Sequence, residues 1–286
     1  MLRSCSKDEF CKYVDFAYEL ALDLTRSGYP TYCDEIKTKA MFVERCYKAF
    51  DRENEEILLF EADGEVKGVI LYFWLPEDRY LETLVFNVGK ATEKALSEFL
   101  NYIGERFKGY DAYFGFPREN ASAVSFLAEK GFECITDEYM NTAFLDRLET
   151  VQETDGVVRI DRDNYGIFKT LHRQTEDEMY FTAGRIPADI DNWSIFVKET
   201  DRGPQGAVYY TKLAEGWFEI YGTDMIRGEN DLKLYKELIN TALSDAKRRG
   251  GRFMTYLCEK EYEEAALECG FKCIGNELCF KTRLGS

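Results

Sequence analysis

The chain has 286 residues, of which 45% are hydrophobic and 15% aromatic, so it holds enough apolar material for more than one compact domain. Its formal net charge of −16 repels a phosphate backbone, and no apolar stretch reaches the roughly 18 residues of a membrane span, so neither nucleic acid nor a membrane is an expected partner. No apolar segment resembling a secretion signal follows the N-terminal Met. The nine cysteines are scattered and form no CxxC pair, which is typical of reduced, mostly buried thiols and predicts a cytoplasmic protein.

The first half of the sequence predicts the order β-α-α-β-β-β-α-β-α-β. A short strand at 2–5 precedes an amphipathic helix at 8–26 and a second helix at 34–50. Antiparallel strands follow, with Asp63-Gly64 as their first hairpin turn. The predicted bounds of these strands and of the remaining helix, strand, helix and strand are 56–61, 66–74, 80–87, 92–106, 110–116, 121–130 and 139–145.

The second half repeats this order. The pentapeptide GFECI at 131–135 returns as GFKCI at 270–274, an offset of 270 − 131 = 139, and Gly68 and Gly206, which lie at similar places, differ by 206 − 68 = 138. Two features that keep one spacing indicate a duplication. We therefore predict one domain at 1–146, a polar linker at 147–156 and a second domain at 157–286. The strands predicted there are 157–160, 193–199, 206–212, 217–223, 252–257 and 277–282, and the helices are 164–174, 231–248 and 262–269.

Both halves resemble the GNAT superfamily of acyl-CoA-dependent N-acyltransferases. Residues 120–132 are similar to the family motif N-x-x-A-x-x-x-Y-x-x-x-G-F, in which the Asn contacts the cofactor and the Tyr protonates the departing thiolate. Asn120 keeps the first position, but Leu127 replaces the Tyr, and the second copy has Glu259 and Ala266 at these places. The resemblance implies an α/β (α+β) fold of two tandem GNAT-like domains, each a mixed, mainly antiparallel sheet flanked by helices.

The second family motif is a Gly-rich turn, R/Q-x-x-G-x-G/A, whose amides and following helix N-terminus hold the pyrophosphate of CoA. The first copy has VGKAT at 88–92, and the second has RGEND at 227–231, which places acids near the phosphates. Electrostatics therefore favours the first copy, although an ordinary strand-to-helix turn remains an alternative in both. The resemblance implies acetyl-CoA as co-substrate and the following first-copy residues as its ligands: Phe86, Asn87, Val88, Gly89, Lys90, Ala91, Thr92 and Asn120.

The third feature is a carboxylate on the strand before each turn. Acyl transfer to an amine requires the substrate ammonium to lose a proton, and a carboxylate can take it. Glu82 and Glu219 lie at matching places where the family often uses a Glu, and Glu82 is favoured because it shares a domain with the better turn. The alternative is a solvated strand residue. His172, the only histidine, is predicted to be a surface or capping residue, Cys258 to be a buried thiol, and no ligand spacing indicates a metal.

These features support three functions. The first is a cytoplasmic N-acyltransferase that moves an acetyl group from acetyl-CoA to a small-molecule or peptide amine, with the first domain binding CoA and the second shaping the acceptor cleft. The second is a non-catalytic binding protein that keeps the fold. The third is a Fem-type aminoacyl transferase, which the charge of −16 disfavours because tRNA needs a basic surface. The sequence identifies neither the acceptor nor the oligomeric state.

Overall fold

The computed structural model describes residues 1–148, 155–173, 180–226 and 231–285. The chain forms two compact units. Unit 1 comprises Met1–Glu138 and Gly275–Ser286, and unit 2 comprises Tyr139–Ile274.

Unit 1 is a mixed sheet with helices on both faces. Its strands and helices are β1 (Leu2–Ser4), α1 (Lys7–Phe10), α2 (Val14–Ala21), α3 (Lys39–Ala49), β2 (Glu55–Ala62), β3 (Glu65–Leu75), β4 (Tyr80–Val88), α4 (Thr92–Arg106), β5 (Asp111–Pro117), α5 (Ala121–Glu129) and the start of β6 (Glu133–Phe144). Helices α4 and α5 bury apolar residues such as Phe99 and Leu127 on one face of the sheet, and α2 and α3 bury Ala17 and Phe42 on the other. The strands β4 and β5 are parallel, while β1 to β4 are antiparallel.

Unit 2 has the same arrangement. Its elements are β7 (Val157–Ile160), α6 (Tyr165–His172), β8 (Trp193–Thr200), β9 (Gly203–Ala214), β10 (Trp217–Met225), α7 (Leu232–Arg248), β11 (Phe253–Glu259), α8 (Glu263–Glu268) and the start of β12 (Lys272–Arg283), with short 3-10 helices at Ile186–Asn192 and Lys260–Tyr262. Here β10 and β11 are the parallel pair. The predicted order of the strands and the α/β fold class are therefore confirmed.

Each unit takes its last strand from the other half of the sequence. Residues 277–283 of β12 pair antiparallel with β5, and Leu278 and Phe280 are buried in the core of unit 1. The second part of β6 lies beside β11, and Ala143 and Leu145 are buried in the core of unit 2. The compact units therefore differ from the predicted ranges 1–146 and 157–286, because strand periodicity identifies a strand but not the sheet that it joins.

Local differences from the sequence-based expectations have simple causes. The helix predicted at 8–26 is two helices and ends at Ala21. The helix predicted to begin at residue 34 begins at Lys39, where the Thr38 hydroxyl accepts the Met41 N–H, while the Asp34 carboxylate holds a preceding turn. Only three of the nine cysteines are buried, so the expectation of mostly buried thiols is wrong. Among the described residues, no helix is long and apolar enough to cross a bilayer.

The strand exchange predicts where a core mutation in β12 acts. Phe280 is 3% exposed, so Phe280→Ala should lower the free energy of unfolding by about 3–5 kcal/mol. Native-state hydrogen exchange should then rise in β4 and β5 of unit 1. Leu213→Ala, at a side chain that is 45% exposed, is the control and should change stability by less than about 0.5 kcal/mol. Faster hydrogen exchange confined to β10 and β11 would instead mean that β12 belongs to the sheet formed by residues 157–274.

Candidate functional site

The parallel strands of unit 1 part where a β-bulge interrupts β4. Pairing between β4 and β5 runs from Tyr80 opposite Asp111 to Glu82 opposite Tyr113, and Leu84 is the extra residue of the bulge. Beyond it, both strands bond to a segment that we call the inserted segment, residues 26–29. The Val88 N–H donates to the Arg26 carbonyl at 2.9 Å, and the Tyr29 N–H donates to the Gly115 carbonyl at 2.9 Å. The chain itself therefore lies between the parted strands.

Gly28 makes this close approach possible. A Cβ atom at this position would lie 3.0 Å from the Phe86 Cβ and 3.3 Å from the Gly115 carbonyl oxygen. Ser27 beside it is fully buried. The inserted segment is thus packed as tightly as a core element, with backbone of β4 and β5 on either side.

Four of the predicted cofactor ligands contact the inserted segment. Phe86 packs on Gly28, and Val88 bonds to Arg26. The Asn87 Oδ1 accepts the Gly28 N–H at 3.4 Å, and its Nδ2 donates to a carbonyl of α2 at 3.1 Å. The Asn120 Nδ2 donates to the Ser27 carbonyl at 3.0 Å, and this side chain is 1% exposed. The side chains of Asn87 and Asn120 are therefore engaged by the fold of unit 1, and their role as cofactor ligands stays a prediction.

The other four predicted ligands form the start of α4. The Gly89 N–H donates to the Lys67 carbonyl at 2.8 Å, so it is already used by the β3–β4 pair. Lys90 is exposed, Ala91 adopts the left-handed conformation with φ of 61°, and Thr92 is the first helical residue. No side chain caps this helix end. The turn therefore keeps an anion-compatible helix end, and its role in binding acetyl-CoA stays a prediction.

Glu82 is enclosed by aromatic side chains. The Tyr80 hydroxyl donates to its carboxylate, and the Tyr80 and Tyr113 rings stack at 4.6 Å. Burial raises the pKa of Glu82, and the Tyr80 hydrogen bond offsets this only in part. A raised pKa suits a general base, and the inserted segment bonds to β4 and β5 beyond the bulge that follows Glu82.

Unit 2 repeats the parting of strands with different residues. Pairing between β10 and β11 runs from Trp217 opposite Phe253 to Ile220 opposite Tyr256, and Tyr221 is the bulged residue of β10. Glu219 therefore corresponds to Glu82 by register. The region beyond the bulge lies between α7 and α6, on the two faces of the sheet.

Three hydroxyl groups lie together on the α7 face of this region, two of them on the buried side chains of Tyr235 and Tyr256. The Thr223 and Tyr256 hydroxyls lie 3.3 Å apart, and the Tyr235 hydroxyl donates to that of Tyr256 at 3.0 Å. Burial, with the Tyr256 hydroxyl adding to it, raises the pKa of Tyr235 far above its usual value, which keeps Tyr235 protonated. By register, the places of Thr223 and Tyr256 are held in unit 1 by Phe86 and Phe114, which are apolar and fully buried.

The helix end of unit 2 carries an acidic cap. The Asp231 Oδ1 accepts the N–H groups of Lys233 and Leu234, both at 3.0 Å. A pyrophosphate at α7 would therefore compete with this carboxylate for the helix amides. The rest of the predicted second-copy turn, residues 227–230, lies outside the described residues.

His172 is buried, so the prediction of a surface or capping residue is wrong. Its Nδ1 lies 2.9 Å from the Asp224 Oδ2, and its Nε2 donates to the Phe181 carbonyl at 2.8 Å. The Tyr209 hydroxyl donates to the other Asp224 oxygen at 3.3 Å. This network ties α6 and the chain near Phe181 to β10. Asp224 is one of two acids in β10, and no local pattern links it to the only histidine, 52 positions away in the sequence.

The remaining predicted residues take structural positions. Leu127 and Ala266, at the place of the family Tyr, are fully buried in the cores of units 1 and 2. Neither supplies an acid. Cys258 is a buried thiol as predicted, and its sulfur accepts the Asn141 amide at 3.1 Å. The half-buried Glu219 lies on the α6 face of β10, because its neighbours Phe218 and Ile220 are in the α7 core.

No protein-family model and no curated protein matches the sequence. Solved structures do. The GCN5-related N-acetyltransferase from Sphaerobacter thermophilus superposes with a TM-score of 0.66 at 14% identity, over 99% of this chain and 95% of that one. A tandem GNAT protein from the clavulanic acid biosynthesis pathway gives 0.56 at 12% identity, over 100% and 99%, and an acetyltransferase described as putative from Pyrococcus horikoshii gives 0.52 at 11%, over 99% and 89%. The chain has the GNAT fold, which confirms the resemblance seen in the sequence.

The packing of the inserted segment gives a stability prediction. Gly28→Ala places a Cβ against the backbones of β4 and β5 and should cost about 1–3 kcal/mol of unfolding free energy. Gly104→Ala in α4, where no atom lies within 4 Å of the added Cβ, should be neutral or stabilise by about 0.5–1 kcal/mol. Chemical denaturation measures both. Equal stability of the two variants would contradict the packed position of the inserted segment.

The raised pKa of Glu82 gives a pH prediction. Because the folded state holds the Glu82 proton more tightly than the unfolded state, this carboxyl favours folding fully below its unfolded pKa and loses that contribution as the pH rises through its folded pKa. Glu82→Gln removes the cost of a buried charge. The melting temperature of the variant minus that of the wild type should therefore increase as the pH rises from 4 to 8. Glu77→Gln, at an exposed turn position, is the control and should show no such trend. A difference in melting temperature that does not change with pH would contradict the raised pKa of Glu82.

Proposed function

We propose that the protein is an N-acyltransferase that moves an acetyl group from acetyl-CoA to a primary amine, with the reaction in unit 2. The observation that supports this most is the difference between the described side chains at matching positions of the two parted strand pairs. In unit 1 the inserted segment bonds to both β4 and β5. In unit 2 the matching region carries the hydroxyls of Thr223, Tyr256 and Tyr235.

The chemistry assigns roles to residues on both faces of the sheet. When an amine attacks a thioester, the C–N bond forms, the C–S bond breaks, and the thiolate needs a proton or a hydrogen-bond donor. In this proposal the Tyr256 hydroxyl gives its proton to the thiolate, and the second proton that the nitrogen loses as the amide forms returns to the Tyr256 oxygen. The Tyr235 hydroxyl, which donates a hydrogen bond to that oxygen, stabilises it in between. On the α6 face, Glu219 takes the proton that the substrate ammonium must lose. Tyr256 would therefore do the work of the family Tyr, whose place is occupied by Leu127 in unit 1 and by Ala266 in unit 2.

The helix end at α7 would hold the CoA pyrophosphate. The amides of Lys233 and Leu234 point to this end, and Asp231 would give them up to the incoming phosphate. Because the phosphate must displace the Asp231 carboxylate from these amides, acetyl-CoA should bind more weakly here than at a helix end without an acid. In this proposal, the acceptor amine reaches the bulge of β10 from the side of α6.

In this proposal, unit 1 has the GNAT fold but does not catalyse acyl transfer. The predicted alternative of a non-catalytic GNAT fold is supported here by the inserted segment and by the fully buried Leu127. It applies to one unit rather than to the whole chain. The Fem-type alternative gains no supporting observation from the described residues.

The role of Tyr256 predicts a catalytic defect. Tyr256→Phe should lower kcat by about 10²-fold, within the usual contribution of a positioned acid, and leave the Kd for acetyl-CoA nearly unchanged. Release of free thiol from acetyl-CoA with a panel of amines measures it. Tyr210→Phe is the matched control, because it removes a buried hydroxyl from the same unit that bonds instead to Asp245. Unchanged turnover in Tyr256→Phe would remove this residue from the mechanism, and no thiol release by the wild type with any amine would overturn the function.

A further inference from the structure

We infer that the acceptor is a primary amine whose ammonium sits on an apolar, aryl or alkyl stem and that carries no carboxylate. The inference rests on the proposed function and concerns the α6 face of the same region. It follows from the side chains that surround Glu219.

Glu219 stands between two aromatic residues on its own strand. Side chains alternate along β10, so Trp217, Glu219 and Tyr221 share the face opposite Phe218 and Ile220. All three are half-buried. The carboxylate therefore lies on a surface with an aromatic ring on either side along the strand.

A row of uncharged residues crosses the sheet at the level of Glu219. Thr211 on β9 and Thr255 on β11 are its register partners, and Trp193 on β8 is the partner of Thr211. The Trp217 indole N–H donates to the Thr255 hydroxyl at 3.1 Å, which fixes that ring. Because register partners point to one face, Glu219 is the charged member of a row that is otherwise aromatic or hydroxyl-bearing.

Three rings pack together at one end of this face. Phe181 lies 5.1 Å from Trp193 and 5.0 Å from Tyr221, and Trp193 lies 5.5 Å from Tyr221, all edge to face. The Phe181 carbonyl is held by His172, so the cluster is anchored to α6. Such rings attract cations through their faces and bury the carbon stem that carries them.

The chemical class follows from charge and polarity. A carboxylate attracts an ammonium and can remove its proton, while the rings bind an apolar stem. A substrate carboxylate would be repelled by Glu219 and would find no basic partner among Trp193, Thr211, Thr255, Trp217 or Tyr221. A polyhydroxylated amine would leave its hydroxyls against rings that offer few hydrogen bonds.

A matched pair of substrates tests the inference. Phenethylamine and phenylalanine share one stem and differ in a carboxylate, and kcat/KM should favour phenethylamine by at least about tenfold. Glucosamine is the hydroxylated comparison and should be used less well than phenethylamine. Equal or better use of phenylalanine or glucosamine would overturn the inference while leaving the proposed function intact.

A binding measurement separates the inference from the reaction. N,N,N-trimethylphenethylammonium cannot be acylated, and calorimetry without any CoA should show that it binds. Glu219→Gln and Tyr221→Leu should each weaken this binding by about tenfold, and Glu215→Gln, at an exposed acid of the β9–β10 turn, should not. Binding without turnover on any amine would support this site and overturn the proposed function. Binding that neither variant weakens would overturn the inference.

Discussion

The hydrogen bonds of the inserted segment to β4 and β5 are the contacts on which the proposed difference between the two units depends. Two parallel strands that part leave backbone N–H and C=O groups without partners, and such groups must be satisfied in any folded state. In unit 1 the chain satisfies them with residues 26–29, through the bonds of Val88 and Tyr29. Because Gly28 has no side chain, the segment can lie against Phe86 and Gly115 at core density.

This one packing choice explains several other residues of unit 1. Asn87 and Asn120, both predicted to be cofactor ligands, each form a hydrogen bond to the segment. Phe114 and Phe116 complete the apolar side of the same region. In unit 2, Asp224 takes the place of Asn87 by register and binds His172. The two sheets thus share one backbone geometry, but the side chains at matching positions are mostly apolar in unit 1 and polar in unit 2.

Much of the fold could be predicted because its signals are local. The bounds of α4 at 92–106 and of β7 at 157–160 match the sequence-based ranges, since period and turn residues act within a few positions. The exchange of β6 and β12, the inserted segment and the pair of His172 with Asp224 could not be predicted. Each depends on contacts between residues far apart in sequence, which a periodic pattern does not encode. The motif around Asn120 identified the fold, but it could not show that the amide would contact Ser27.

We propose that acetyl-CoA binds in unit 2, because the inserted segment bonds to both parted strands of unit 1. Hydrogen exchange with and without acetyl-CoA tests it most directly. We expect protection of residues 221–226, 232–240 and 256–266, with residues 86–94 and 120–127 unchanged. Protection confined to 86–94 and 120–127 would contradict it and would mean that the inserted segment yields its place to the cofactor.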